Sequence, residues 1–192
     1  ESWDEEGGYS YEGADGEAYD QNADGSGSYM DGDGATESWD EDGNSESWDA
    51  DGEGQMDYAD GTTESWDGEG NGTVVHPDGS VDTYYADGSG SHQGADGSYA
   101  EWNGDGSGMW TDAEGNSGTH HPDGSGYITY ADGSVESWDG QGNHSYTDAD
   151  GNAVSQDAYA SGEYPNADGS VDAWHEAGDS SCTDEDGTVY QY

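Results

Sequence analysis

The chain has 192 residues with no Lys and no Arg, and its acidic residues give a formal charge of -47 at pH 7. Without basic side chains nothing can neutralise phosphates, which argues against direct binding to nucleic acid and to anionic membrane surfaces. No apolar run is long enough to span a membrane, so membrane insertion is not expected either. Repulsion among the acids destabilises any compact state unless cations reduce it, and divalent cations are therefore expected partners.

The apolar residues are unusual, because Leu and Phe are absent and Ile128 is the single Ile. A chain so poor in aliphatic residues and so highly charged is ordinarily disordered, and it cannot build a thick aliphatic core. It does carry 8 Trp and 15 Tyr, which favour strands and bury large areas. An ordered structure therefore requires a repeat, in which each unit contacts mainly its neighbours.

Glycine recurs at every ninth residue from Gly7 to Gly151. The next step falls on Ala160, and the series resumes at Gly169. We therefore predict one continuous array over residues 1–192, about 21 nonapeptides long (192 divided by nine), with no separate domains.

The residues before each repeated Gly predict a turn. With that Gly as position seven, position six is mostly Asp and position five mostly Ala, Gly, Pro or Glu, as in His76-Pro77-Asp78-Gly79. These residues suit a type I turn closed by a left-handed Gly, which is the three-residue hairpin loop with a bulge. The six other residues of each repeat form a strand, for example Ser134 to Asp139. The sequence thus predicts an all-β fold of tandem hairpins, a continuous antiparallel meander.

This geometry places position three of one strand opposite position nine of the next. In one class of hairpins the pairing sets a ring or long side chain opposite a bare Gly, an arrangement that stabilises strand glycines. In the alternate hairpins it sets β-branched or small residues opposite each other. The predicted pairs of the first class are Trp48 with Gly54, Trp66 with Gly72, Tyr84 with Gly90, Trp102 with Gly108, His120 with Gly126, and Gln156 with Gly162. Those of the second are Val75 with Val81, Thr129 with Val135, Thr147 with Ala153, and Thr183 with Val189.

Successive side chains of a strand point to opposite faces of the sheet, so the same register sorts the residues into two faces. One face is aromatic, and the other is small and hydroxylated, with residues such as Thr129, Thr147 and Ser137. A long uncovered aromatic stripe indicates an interface, so we predict that the aromatic face binds another chain, layer or ligand. This predicted assembly or ligand face comprises Trp48, Trp66, Trp102, Trp110, Trp138, Tyr146, Tyr164 and Trp174.

Two features depart from this pattern, and one alternative fold stays open. Trp3 and Trp39 fall on the alternate strands to those that carry the later Trp residues, and the turn in Ala158 to Gly162 lacks its Gly and should be reshaped.

Trp residues 36 apart suggest four-stranded propeller blades, but the uniform nine-residue spacing leaves no longer connection between blades. A β-solenoid of 18 residues per coil remains the alternative, with residues 18 apart stacked directly.

The segment Trp138-Asp139-Gly140-Gln141-Gly142-Asn143, followed by Thr147-Asp148-Ala149-Asp150-Gly151-Asn152, resembles the YD repeat of bacterial Rhs-type proteins. That repeat combines a Tyr-Asp-x-x-Gly-Asn-like element with Thr-Asp-x-x-Gly. The resemblance implies long hairpin sheets that wind into shells or line secreted and cell-surface proteins. This chain differs in having Trp in place of Tyr, a stricter period, and no Arg or Leu.

Acidic pairs in the turns are candidate calcium ligands. Carboxylates at alternate positions of a turn are hard oxygen ligands suited to Ca²⁺, although two of them supply fewer than the roughly six to eight oxygens that Ca²⁺ takes. Alternatively, the first Asp of each pair only caps its own turn through side-chain hydrogen bonds. Turn histidines such as His76 and His121 are expected to be exposed to solvent rather than to bind a metal. The candidate ligands are Asp31, Asp33, Asp40, Asp42, Asp49, Asp51, Asp148, Asp150, Asp184 and Asp186.

Nothing in the sequence distinguishes a catalytic pocket. Acidic pairs recur throughout, and a repeat supplies copies of one environment rather than the two different acid environments that a glycosidase needs. We therefore predict a non-enzymatic extracellular structural protein that self-assembles into a fibre, sheath or matrix through its aromatic face, with acidic turns binding cations. The alternative is a surface adhesin or carbohydrate-binding module that stacks sugars on its rings. Cys182 is the single Cys and makes no intrachain disulfide.

Overall fold

A computed structural model describes residues 1–157, 161–166, 168–174 and 180–191 of the chain. Those residues form strands and turns, and none of them forms a helix that could cross a membrane. The chain divides into two compact units, which we call unit one (Glu1–Ala95) and unit two (Asp96–Tyr192).

Both units consist of short strands, almost all of them four residues long. The strands of unit one are β1 (Ser2–Trp3), β2 (Tyr9–Glu12), β3 (Ala18–Gln21), β4 (Gly27–Met30), β5 (Thr36–Trp39), β6 (Ser45–Trp48), β7 (Gly54–Asp57), β8 (Thr63–Trp66), β9 (Gly72–Val75), β10 (Val81–Tyr84) and β11 (Gly90–Gln93). Those of unit two are β12 (Tyr99–Trp102), β13 (Gly108–Thr111), β14 (Ser117–His120), β15 (Gly126–Thr129), β16 (Val135–Trp138), β17 (His144–Thr147), β18 (Ala153–Gln156), β19 (Gly162–Pro165), β20 (Val171–Trp174), β21 (Ser180–Thr183) and β22 (Val189–Gln191).

Within each unit, every strand pairs antiparallel with the strand that follows it in the sequence. The predicted all-β hairpin meander is therefore confirmed. The solenoid alternative is wrong, because consecutive strands pair with each other instead of stacking on strands one coil away.

The turns have the predicted geometry. In a representative turn, the Tyr130 N–H donates to the Ser134 carbonyl at 2.9 Å and the Gly133 N–H donates to the Tyr130 carbonyl at 2.9 Å. The turn glycines have φ values from +82° at Gly124 to +98° at Gly7. Only Gly adopts this left-handed backbone without steric cost, which explains why the repeat keeps Gly at position seven.

Two side-chain arrangements stabilise these turns. In turns with Asp at position six and Ser at position eight, such as Asp132 and Ser134, the carboxylate accepts the Ser N–H at 2.9 Å and the Ser hydroxyl at 2.7 Å. In turns with Asp at position four and Asn at position eight, the carboxylate accepts three groups. Asp67 accepts the N–H groups of Glu69 and Asn71 at 2.9 Å each and the Asn71 side-chain amide at 2.7 Å.

The Asn side chains also connect turns on the same edge of the sheet. The Asn44 amide oxygen accepts the Ala59 N–H at 2.9 Å, and Asn71 accepts the Ala86 N–H at 3.0 Å. In unit two, Asn116 accepts the Ala131 N–H at 2.9 Å. Each such Asn therefore closes its own turn with its amide N–H and holds the turn two strands away with its oxygen.

No hydrophobic side chain is buried in the described part of the chain. The buried polar side chains there belong to three turn serines, Ser80, Ser134 and Ser170. This agrees with the composition, which is too poor in aliphatic residues for a core. Backbone pairing, turn hydrogen bonds and ring contacts along the sheet surface hold the structure together instead.

The ten predicted cross-strand pairs all occur, six with a Gly partner and four with a β-branched or small partner. The prediction that each ring lies over the Gly across its own turn is wrong. The Trp66 ring covers Gly54 of the preceding strand, and Gly72 is covered by Tyr84. Each position-nine Gly has a position-three neighbour on both sides, so side-chain torsions rather than register decide which ring covers it.

Candidate interaction surfaces

One face of unit one carries rings and glycines in alternation. Trp48, Gly54, Trp66, Gly72 and Tyr84 lie opposite one another on five successive strands, which places their side chains on one face. We call this the ring face of unit one. Because each Gly leaves room for a ring, neighbouring rings come close together, and the ring centroids of Trp48 and Trp66 are 4.9 Å apart with an edge-on orientation.

Because Gly72 has no side chain, the Tyr84 ring can lie across it on this face. Its ring crosses Gly72, and its hydroxyl donates to a Glu64 carboxylate oxygen at 2.9 Å two strands away. Tyr58 approaches the other oxygen of Glu64 at 3.5 Å. Burial and the hydrogen bond to Glu64 raise the pKa of Tyr84 above its usual value. The phenol thus stays protonated and continues to donate at neutral pH.

In unit two, the six predicted ring residues share one face. The cross-strand register aligns them across β12 to β20, with Gly108, Gly126 and Gly162 between the rings. We call this the ring face of unit two. Trp102, Tyr146 and Tyr164 on it are exposed. The predicted residues of this face are Trp102, Trp110, Trp138, Tyr146, Tyr164 and Trp174.

A second aromatic surface lies at the start of the chain, on the face of unit one opposite its ring face. Trp3, Tyr9, Tyr19 and Trp39 follow one another with ring centroids 4.8, 5.9 and 5.9 Å apart. We call these four residues the N-terminal ring row. Trp39 completes the row by lying over Gly27, and its indole N–H donates to the Gly25 carbonyl at 2.8 Å.

The sequence places Trp3 and Trp39 on the alternate strands to those of the later Trp residues, but the tyrosines between them were missed. Tyr9 and Tyr19 occupy positions nine and one of their repeats, whereas the predicted ring face comprises rings at positions two and three. The signal was present, because Trp3 pairs with Tyr9, and Tyr19 pairs directly with Tyr11 and Tyr29. Applying the register to rings at every position of the repeat would have shown the row.

The predicted calcium ligands lie in exposed turns. The first Asp of the pairs at 31, 40, 49 and 148 caps its own turn; Asp40, for example, accepts the N–H groups of Asp42 and Asn44 at 3.0 and 2.9 Å. The Asn44 amide holds the pKa of Asp40 below its usual value. In the described residues, no three His, Cys, Asp or Glu side chains converge as a metal site would need. Calcium binding by these turns stays a prediction.

A histidine pair shares one carboxylate on the ring face of unit one, and sequence analysis did not find it. His76 Nε2 lies 2.8 Å from one oxygen of Asp82, and His92 Nδ1 lies 2.6 Å from the other. These two hydrogen bonds lower the pKa of Asp82. The His76 side chain is 37% exposed, and it also has a carboxylate partner that the sequence analysis did not predict. The signal was the spacing of His76 and Asp82, which hairpin pairing brings together.

Cys182 is a free thiol in unit two. A hydrogen bond to Asp172, together with burial, raises the pKa of this thiol, so it is mostly protonated at neutral pH. A protonated thiol is a poor nucleophile.

No protein-family model matches this chain, and no curated protein matches it. In fold it is similar to the TCP10 domain of Danio rerio CPAP in complex with a peptide of Danio rerio STIL, with 17% identity, a TM-score of 0.58, and coverage of 95% of this chain and 97% of that one. It is also similar to the TCP domain of Drosophila melanogaster SAS-4 in complex with a proline-rich motif of Ana2, with 16% identity, a TM-score of 0.52, and coverage of 68% and 88%. At these identities the likeness shows the fold alone.

Proposed function

We propose that this chain is a non-enzymatic extracellular structural protein that assembles with further copies of itself through its ring faces, with the acidic turns binding cations. The observation that carries the proposal is the exposure of rings on a sheet without a buried hydrophobic side chain in its described residues. An aromatic stripe of this length supports a role as an interface. The lack of Lys and Arg also leaves trypsin-like proteases no cleavage site, which suits a protein that persists outside the cell.

Cations enter the proposal because copies with a charge of -47 repel one another. Screening by salt weakens this repulsion, and divalent ions at the turns neutralise it locally. At equal ionic strength, assembly should therefore be stronger in calcium chloride than in sodium chloride. Electron microscopy and light scattering of the purified full chain in each salt measure this. A monodisperse monomer in calcium and physiological salt would overturn the proposal.

Matched variants separate the ring faces from the rest of the surface. Trp48 and Trp102 are exposed on the ring faces, and Val75 and Tyr127 are exposed on the opposite face of the same units. The double variant Trp48→Ser/Trp102→Ser should lose assembly in calcium, whereas Val75→Ser/Tyr127→Ser should keep it. Circular dichroism of each variant shows whether the strands are retained. Equal loss in both double variants would place the contact elsewhere.

Binding of an extended peptide is the second candidate function, and the fold comparison favours it. The similar domains of CPAP and SAS-4 are solved with a STIL peptide and with a proline-rich motif. A row of neighbouring rings such as the N-terminal ring row suits a polyproline II peptide, which docks on aromatic grooves. Calorimetric titration with a proline-rich peptide that carries Lys tests this. Trp39→Ala should abolish the binding signal while Trp102→Ala leaves it unchanged.

The adhesin or carbohydrate-binding alternative remains a separate proposal on the ring faces. Sugars stack on flat rings, so glycan-array binding that is lost in Trp102→Ala and Trp138→Ala would support it. Absence of array binding by the wild-type chain would remove it.

A further inference from the structure

The N-terminal ring row brings two tyrosines into direct contact. Tyr9 on β2 and Tyr19 on β3 lie with ring centroids 5.9 Å apart and a tilt of 51° between the rings. Tyr11 and Tyr29 also face Tyr19 across the strands in register, but among these tyrosines it is Tyr9 whose ring contacts that of Tyr19. The sheet therefore selects one tyrosine pair from four tyrosines on the same face.

One member of the row, Trp3, is exposed to solvent and contacts this pair. Trp3 at the edge strand is 74% exposed, and its ring centroid lies 4.8 Å from that of the half-buried Tyr9. Trp3 is the most exposed ring of the row, so a bulky oxidant reaches it more readily than it reaches the half-buried Tyr9 and Tyr19. An electron can then pass from Tyr9 to oxidised Trp3 through rings that are in contact.

We propose that Tyr9 and Tyr19 form a site of oxidative cross-linking, at which a haem peroxidase with hydrogen peroxide couples the two rings into an intrachain dityrosine. Each phenol loses one electron and one proton to give a phenoxyl radical. The two radicals join through ring carbons ortho to the oxygens, and the two displaced ring hydrogens return to the oxygens and restore both phenols. Hydrogen peroxide accepts the two electrons and two protons and becomes two water molecules.

The sheet geometry favours coupling within this pair over coupling between chains. Holding two reacting groups in contact replaces a bimolecular step with an intramolecular one, which greatly raises their effective concentration. The repulsion between chains of charge -47 further disfavours intermolecular coupling in dilute solution. The cross-link would covalently join β2 to β3, near the start of a sheet in which no described hydrophobic side chain is buried.

The test treats the dilute full chain with a haem peroxidase and hydrogen peroxide and follows dityrosine fluorescence. Trypsin has no site in this chain, so a Glu-specific protease is used, which releases peptides 7–12 and 18–37. Mass spectrometry should find these two peptides joined, with a mass lower by two hydrogen atoms than their sum. Fragmentation should place the link between Tyr9 and Tyr19.

Single hydroxyl deletions provide matched controls. Tyr9→Phe and Tyr19→Phe keep the ring contacts and should each lose the intrachain cross-link, whereas Tyr11→Phe and Tyr29→Phe should retain it. Trp3→Phe should slow the reaction and leave the site of coupling unchanged. Amide hydrogen exchange across β2 and β3 confirms that each variant keeps the sheet.

Several outcomes overturn the inference. A cross-link that persists in Tyr9→Phe, that involves Tyr11 or Tyr29 as often as Tyr9, or that joins only separate chains would each show that the ring contact does not direct coupling. Absence of dityrosine in the wild-type chain would do the same. Because the reaction is measured on monomers, the result does not depend on whether the chain assembles.

Discussion

Strands β1–β5 and β6–β11 of unit one use the same repeat and place their rings on opposite faces. The tetrapeptide Glu-Ser-Trp-Asp occurs at residues 37–40 and again at residues 46–49, one repeat later. Thr36 pairs with Trp48, and Thr36 is three residues from Trp39, so the two Trp side chains point to opposite sides. Identical local sequence therefore does not determine which face a ring occupies. Whether two copies lie on neighbouring or on alternate strands determines it.

The two regions also differ in what holds them together. In β1–β5 the rings contact each other in a row, and Trp39 donates a hydrogen bond to a turn carbonyl. In β6–β11 the rings alternate with glycines, and Asn44 and Asn71 link alternate turns. Trp66 Nε1 is shielded from solvent there and has no hydrogen-bond partner in the described residues. One repeat thus supports two ways of stabilising a single sheet.

The largest difference is expected from adding a Cβ to the glycines beneath the rings. At Gly27 the new Cβ would collide with the Asp20 carbonyl oxygen as well as with the Trp39 ring, whereas at Gly54 its nearest contacts are atoms of the Trp66 ring. A ring on an open sheet can rotate away, but a backbone carbonyl in the sheet cannot. Gly27→Ala should cost about 1–3 kcal/mol of unfolding free energy, and Gly54→Ala distinctly less.

Urea unfolding of the two Ala variants measures this difference, and hydrogen exchange at β3 and β4 localises it. An equal loss of stability in both variants would mean that ring displacement is as costly as backbone displacement. The ring faces would then be more tightly packed than the exposed side chains indicate.

Replacing Trp by Phe in each region separates the indole hydrogen bond from the ring contact. Trp39→Phe should cost about 1 kcal/mol more than Trp66→Phe, because only Trp39 donates its indole N–H to a partner. Trp66→Phe removes a buried unpaired donor together with part of the ring. Chemical denaturation of the two variants gives the comparison; a larger loss for Trp66→Phe would contradict the hydrogen-bond assignment.

Removing a turn-to-turn link tests the stabilisation that is particular to β6–β11. Asn71→Ser loses the bond from the Ala86 N–H and the bond to Asp67, with an expected cost of about 0.5–1 kcal/mol. The amide of Ala86 should exchange faster with solvent while amides of β2 and β3 do not change. Ser26→Ala is the control in β1–β5, where position eight carries Ser and forms no bond to another turn. Unchanged protection at Ala86 would refute the link.

The smallest expected effect is the pH dependence of the turn carboxylates. Hydrogen bonds from the Asn71 side chain and backbone hold the pKa of Asp67 below its ordinary 3.8. A group whose pKa is lowered by folding stabilises the folded chain above 3.8, and this contribution is lost as the pH falls through the lowered value. Asp67→Asn should therefore destabilise the chain at neutral pH, and its difference from wild type should shrink in acid.

The control for this experiment is Asp42→Asn, because the Asp42 side chain accepts none of the described turn hydrogen bonds and its loss mainly reduces the overall repulsion. Unfolding curves for wild type and both variants across the acid range, at constant ionic strength, measure the effect. A difference between Asp67→Asn and wild type that stays constant with pH would show that the charge of Asp67 does not stabilise the turn.

The sequence by itself determined the period and the turn type, and it predicted the antiparallel meander and the ten cross-strand pairs while leaving a solenoid open. All of these follow from local rules, because a left-handed Gly at a fixed interval sets the hairpin and the hairpin sets the register. Only the tertiary structure decided that Trp66 covers Gly54, that Asn71 holds Ala86, that His76 and His92 share Asp82, and that Tyr9 contacts Tyr19. These contacts depend on side-chain torsions and on reach across neighbouring strands, which strand register leaves free.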